Sequence, residues 1–464
     1  SFGDGSVKSP FPVVVSLIFS HYLKDEEMTW LYQRFIGKNK DFDIHFIRLF
    51  DSGIEPVELK DSSAISCIPL DKCIYDVWDK SPGEGRCLTM TPPNGPYEAC
   101  FDKVSIRTGR DQENDDFLLI DGLGSNGIHS YSDAMGILDY TSKGVVWLVE
   151  ENDYRWPEPE NCSILTVARE GYASDIPGYG LMEEQKVIAE GQYYLRMRTK
   201  KYNGTDWVRE VFLIKGLCAV FHDTIICEQK GEYVIGAHFR TPAKAWMEEN
   251  TLKSTRTDKS QQLYELRLSA YGSSDISVNL EEIPYGERLF NYGGMHDKKN
   301  NRSGNPEIAD IMWNARYNSK EIVVSVMTTF SSLSMEKGDK LSFTHVAHPA
   351  RGDEEDIHCE IAGNMLRLSY GGKEYVYPVA HVGSMKKDKV QSQDKLLVGR
   401  IGIGKLFDLP YGIKNMTFID ERQFICGMTG GNIALVNDGK VVWKTALEEE
   451  IHATEYVAPE KLNA

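Results

Sequence analysis

From about residue 82 onward the chain is a succession of short β-branched and aromatic runs cut by Gly, Asn and Asp turns, a spacing that restricts it to antiparallel β architecture. The runs include Phe117–Ile120, Val145–Val149, Ile164–Val167, Tyr193–Thr199, Val208–Ile214, Ala219–Ile226, Tyr233–Phe239, Gln262–Ser269, Ser277–Leu280, Ile322–Thr329, Lys340–Ala347, Met365–Tyr370 and Glu374–Val379. So many strands require a large two-sheet sandwich. At 464 residues the chain also exceeds the roughly 250–300 residues of a single core, so more than one packing unit is expected.

The two ends differ from this texture. Residues 9–37 read as two short helices, started by Ser9-Pro10 and stopped by Gly37. The polar run 383–395 (GSMKKDKVQSQDK) has no apolar period and reads as a loop or linker. Beyond it, 418–445 alternates strand and turn through a Gly-Gly and an Asp-Gly pair, a pattern that resembles one quinoprotein-like propeller blade. The expected organisation is a helical segment and linker over 1–81, a sandwich over 82–390 and a small β module over 391–464. The fold class is mainly β.

Composition excludes several functions. A formal net charge of −17 disfavours nucleic acid or an anionic membrane surface as a partner, because both are gripped by summed Lys and Arg contacts. The apolar run Phe11–Phe19 is half the roughly 20 residues of a membrane span, and it lacks the flanks of a signal peptide. Nine cysteines form no CxxC pair, which excludes a zinc ribbon. Cys67, Cys73, Cys87 and Cys100 fit either two bridges in an oxidising compartment or scattered thiols. The oligomeric state is not legible.

Residues 101–171 carry the chemistry. Arg107-Thr-Gly109 is followed by Leu118-Leu-Ile-Asp-Gly122, by the glycine-rich stretch Gly122–Gly127 and by His129-Ser-Tyr131-Ser-Asp133-Ala134. A strand ending at Val149 comes next, then Asn161-Cys-Ser-Ile-Leu-Thr-Val, and later Trp207-Val-Arg-Glu-Val-Phe-Leu-Ile-Lys-Gly216. In order and spacing these resemble the β-sandwich of heparinase II/III-like polysaccharide lyases. The resemblance implies β-elimination on uronate-containing chains, and it makes the N-terminal helices the remnant of an α/α toroid.

The resemblance assigns catalysis on the β side to His129 and Tyr131. His129 matches the first histidine of the family's H-G-H pair, and its ordinary pKa suits it to moving a proton near neutrality. A His or Tyr would take the C5 proton and a Tyr could return one to the O4 leaving oxygen. Tyr131 stands where a metal-binding histidine is expected, Glu150 falls near the ligand aspartate, and Asn161 or Cys162 near the last ligand histidine. These are not a tetrahedral zinc set, so no metal and no cofactor are expected. Asp133 and Glu150 are read as structural, Glu150 on a solvated acidic face.

Substrate-binding residues are read from charge and exposure. Arg196, Arg198 and Lys200 alternate with Leu195, Met197 and Thr199, so a strand puts three cations on one face. Arg107, with Lys103 and Arg110, precedes the key loop, and Arg240 and Lys244 flank an HFRTP turn. Trp156, among polar and proline residues, is the tryptophan placed to stack on a sugar. The expected partner is an anionic polysaccharide or oligosaccharide, met by a secreted or periplasmic protein. The alternatives are a non-catalytic carbohydrate-binding or structural sandwich, or a uronate epimerase.

Overall fold

The structure is a computed structural model that describes residues 11–38, 53–58, 64–69, 99–109, 111, 114–123, 134–150, 162–170, 177–273, 276–284, 323–379, 413–419, 423–428, 432–437 and 440–446. It is mainly β, with two short helices, as the texture requires. The chain clusters into two compact units, 1–66 and 67–464.

The first unit holds the helices α1 (Phe11–Leu23) and α2 (Glu26–Lys38). Lys24, in the left-handed region at φ 55°, ends α1. Asp25 then caps α2: its Oδ1 accepts the Met28 N–H at 2.9 Å, and Glu26 and Glu27 complement the helix dipole. The buried Ser20 and Thr29 hydroxyls join the helices at 2.6 Å. Among the described residues no helix is long and apolar enough to cross a membrane. Strand β1 (Ile65–Pro69) spans the junction of the units.

In the second unit β2 (Phe101–Arg107), β3 (Phe117–Asp121), β4 (Ile137–Ser142) and β5 (Val145–Val149) form an antiparallel meander. A bridge from Ile137 to Ser163 links it toward β6 (Leu165–Arg169). The largest sheet is built from β7 (Leu181–Ala189), β8 (Gln192–Tyr202), β9 (Thr205–Ile214) and β10 (Cys218–Cys227). After β11 (Gly231–Thr241), it continues with β12 (Ala245–Glu248), β13 (Thr251–Thr257) and β14 (Leu263–Gly272). Beyond β15 (Ser277–Pro284) and β16 (Val323–Met335), β17 (Lys340–Ala350) closes the order β12-β13-β14-β17-β10-β9-β8-β7. A third sheet runs β15-β16-β11-β6.

Strand alternation gives the eight-stranded sheet two faces. Register puts Trp207 and Arg209 of β9, Phe221 and Asp223 of β10, and Phe343 and His345 of β17 on one of them. That inner face packs on the third sheet: Phe239 of β11 lies 5.6 Å from the Phe221 ring and 4.3 Å from His345, whose Nε2 is 2.9 Å from the Thr329 hydroxyl of β16. Burying each such aromatic contributes about 1.5–3 kcal/mol.

The outer face carries Tyr194, Phe212, Cys218, Val220 and Val346. A three-stranded sheet of β18 (His358–Ala362), β19 (Met365–Tyr370) and β20 (Lys373–Pro378) covers these residues through Cys359, Leu366, Leu368 and Tyr377. The Tyr377 ring stacks 4.7 Å from Phe212.

The C-terminal expectation of strand, turn and strand is met by a four-stranded antiparallel meander, β21 (Ile413–Phe418), β22 (Gln423–Met428), β23 (Asn432–Asn437) and β24 (Lys440–Ala446). Two expectations are corrected. HFRTP is not a turn but the end of β11, with Arg240 buried and its N–H donated to Ser163 Oγ at 3.0 Å, so Arg240 borders no open groove. Glu150 is buried rather than solvated: it directly follows β5, and its N–H continues the pairing with β4 by donating to Leu138 O at 3.3 Å.

Candidate functional site

His129, Tyr131 and Asp133 lie outside the described residues, as do Trp156, Arg110 and Asn161. What is described is the two flanks of the segment 124–133 that bears the first three: one foot at 121–123 and the other at 134–136. The feet are tied to each other. Asp121 N–H donates to Gly136 O at 3.0 Å, and Met135 N–H returns to Asp121 O at 2.8 Å.

The first foot is held by close backbone approach and by charge. Gly122 N–H donates to Asp102 O at 2.7 Å, and a Cβ on Gly122 would collide with Phe101 O, so only glycine fits there. Gly180 N–H donates to Gly122 O at 2.7 Å, and Leu123 bridges to Tyr179. Asp121 Oδ1 accepts the Leu123 N–H at 3.0 Å and Lys103 Nζ at 2.9 Å. Burial pushes the Asp121 carboxyl upward in pKa, while Lys103 acts against that shift.

The second foot rests on a buried ion pair. Met135 is fully buried and sits in the left-handed region at φ 65°, a sparsely populated conformation for a residue with a side chain. Its carbonyl accepts Arg209 Nη1 at 2.7 Å. The same guanidinium grips Asp223 with Nε at 2.8 Å and Nη2 at 2.9 Å, and Trp207 Nε1 donates to Asp223 Oδ1 at 2.8 Å. Arg209 also lies 4.9 Å from the Trp207 ring centroid. Both charged side chains are 0% exposed.

His345 shares this layer, and burial, opposed by Asp223 and aided by Arg209, holds its pKa down to about 3. It therefore stays neutral, and Arg209 and Asp223 balance one charge against one. The sequence reading used Arg209 only as part of the resemblance and missed Asp223. The signal was present: an Arg among Trp207, Val211 and Leu213, and an Asp between Phe221 and Ile225, place opposite charges on apolar faces of successive strands.

The remaining binding candidates are spread out. Arg196 and Arg198 share one face of β8 as alternation requires, but both donate to Glu183, at 3.0 and 2.5 Å, and Arg198 also pairs with Asp206 at 3.5 Å. Lys200 is exposed, at the irregularity in pairing between Thr199 and Tyr202. Arg107 is exposed at the far end of β2 with its guanidinium 4.8 Å over the Phe117 ring. Lys103 is engaged at the loop foot and Lys244 is exposed.

Of the positions where the resemblance puts metal ligands, Glu150 and Cys162 are described and buried. Among the described residues no three His, Cys, Asp or Glu side chains converge on a possible metal position. A phenol, a carboxylate and a thiol or amide do not match the ligand set of such a centre.

No protein-family model matches the chain, and no curated protein does. Solved structures do match. A heparinase III with methylated lysines superposes with a TM-score of 0.50 and 10% identity, covering 82% of this chain and 49% of that one. The heparan sulfate lyase HepC of Pedobacter heparinus superposes with a TM-score of 0.50 and 12% identity, over the same 82% and 49%. The chain thus spans about half the length of these structures. At such identities the likeness shows a heparinase-like β fold; the propeller likeness of the C-terminal meander finds no support in it.

Proposed function

We propose that the chain is the β-rich part of a polysaccharide lyase that cleaves an anionic, uronate-containing polysaccharide by β-elimination. The observation that carries this reading is the locked loop frame: the fold shared with lyases pins both feet of the segment that holds His129 and Tyr131. Elimination needs a base at C5 and an acid at the leaving O4 within one rigid frame, since a base contributes its typical 10²–10⁴-fold only when held in reach of the proton. His129 takes the C5 proton, and Tyr131 returns one to the leaving oxygen. Asp133 braces the loop that carries both. Arg107 and Lys200 are the exposed cations of the set and meet uronate carboxylates or sulfates at the rim, while Arg196 and Arg198 contribute only where substrate displaces Glu183. Trp156 offers a stacking surface. A polymeric substrate outside the cell places the protein in the periplasm or outside.

The test is to incubate the chain, as its gene encodes it in full, with heparan sulfate, chondroitin, hyaluronan and alginate while following ultraviolet absorbance of the new C4–C5 double bond. A rise with one polymer is the expected result. No rise with any polymer, with binding to one retained, overturns the lyase in favour of a sugar-binding sandwich. Inversion at C5 without cleavage identifies an epimerase.

A further inference from the structure

We infer that Arg209 and Asp223 are positioning residues whose task is to hold the Met135 carbonyl, and through it the C-terminal foot of the loop that bears His129 and Tyr131. The inference rests on the lyase reading for what the loop does, but the anchoring itself is independent of it.

Stability does not explain the pair. Both groups are 0% exposed, and a buried ion pair recovers little more than its desolvation cost; apolar side chains of the same volume serve a core at least as well. What apolar side chains cannot supply is a fixed fork of donors. Nε and Nη2 are committed to Asp223, the Trp207 indole adds a third donor to that carboxylate, and Nη1 alone is turned out of the pair, onto Met135 O. Its target is the one described residue of the loop feet other than glycine with a positive φ. A left-handed Met tends to relax, and the guanidinium opposes relaxation from the carbonyl side while Asp121 O holds the N–H side. Met135 lies four residues after Tyr131 in the chain, so the anchored carbonyl is close in sequence to the two residues assigned the proton transfers. Lysine cannot substitute, because one ammonium cannot reach both carboxylate oxygens and the carbonyl in a fixed plane.

The experiment compares wild type, Arg209→Lys and Asp223→Asn by amide hydrogen exchange, with elimination assayed in parallel. In the variants, exchange is expected to rise at least about tenfold in peptides covering 134–140 while β13 and β14 keep wild-type protection. Where the wild type shows elimination, kcat falls with KM held. Unchanged exchange at 134–140 in a folded variant, or equal loosening of β13 and β14, overturns the inference. If neither variant folds, the wild type decides: Met135 and Ile137 amides protected like those of β9 support it, and exchange there as fast as in exposed turns overturns it. Loosened exchange in a protein that eliminates no polymer sinks the lyase reading alone and leaves the anchor standing.

Discussion

The two faces of the eight-stranded sheet each carry an arginine–carboxylate system, and the two differ in nearly every physical respect. On the inner face Arg209 meets Asp223 across directly paired strands, with no exposure and each guanidinium nitrogen engaged. On the outer face, one strand away, Arg196 and Arg198 converge on Glu183 with side chains 30%, 19% and 25% exposed. Water screens the outer system and allows its members to exchange partners. No water competes on the inner face, so losing one member leaves a bare charge in a core. Identical chemistry therefore yields an adjustable cationic edge in one place and a fixed geometric reference in the other.

The sharpest way to break this contrast is Asp223→Ala, which strands the Arg209 guanidinium. It should cost about 3–5 kcal/mol in denaturant unfolding, whereas the double variant Arg209→Met with Asp223→Leu should recover most of that loss. A small effect of the single change would mean the inner pair is hydrated like the outer one.

Acid tests the same burial from the two faces of β17. Burial holds His345 down to about 3 and His348 to about 4, the latter aided by Lys143 and Arg267 and opposed by Glu354 and Asp356. Both are neutral when folded, while in the unfolded chain they take up protons near the usual 6.5. The unfolded state binds more protons between pH about 6.5 and 4, so stability is lost as pH falls through that window, by up to ~3 kcal/mol for His348. His348→Leu should flatten that part of a pH–stability curve; an unchanged slope would place the histidine in contact with solvent.

Tyr194 lies between the extremes, on the outer face but buried, donating to Glu210 at 2.6 Å. Tyr194→Phe should cost about 1–2 kcal/mol by thermal or chemical unfolding, the loss of one donor to a buried carboxylate. The smallest effect belongs to Glu183→Gln: less than about 1 kcal/mol, fading in molar salt. A loss that survives salt would show the outer cluster to be as rigid as the inner pair.

Much of the fold was legible in the sequence because buried central strands are short β-branched and aromatic runs set off by turn residues. Val208–Ile214, Ala219–Ile226 and Lys340–Ala347 all fall within strands of the eight-stranded sheet. The strands of this sheet that escaped notice lie at or near its edges: the short β12 (AWME), and β7 (LMEEQKVIA) and β13 (TLKSTRT), whose polar composition mimics loop. One omission led to another. Without β7, Glu183 was invisible as a neighbour of Arg196 and Arg198, and their face read as unpaired cation. Asp223 was missed for a related reason: opposite charges on two strands become a pair only once register is known, and register is not written in either strand alone. His129, Tyr131, Asp133 and Trp156 came from motif and surroundings and lie outside the described residues.

The most direct test of the account is turnover of heparan sulfate by His129→Ala beside wild type, with polymer affinity measured on both. The lyase reading predicts wild-type release of unsaturated product, a loss of at least about 100-fold in the variant, and binding left within a few-fold. Equal turnover in the two proteins would contradict it.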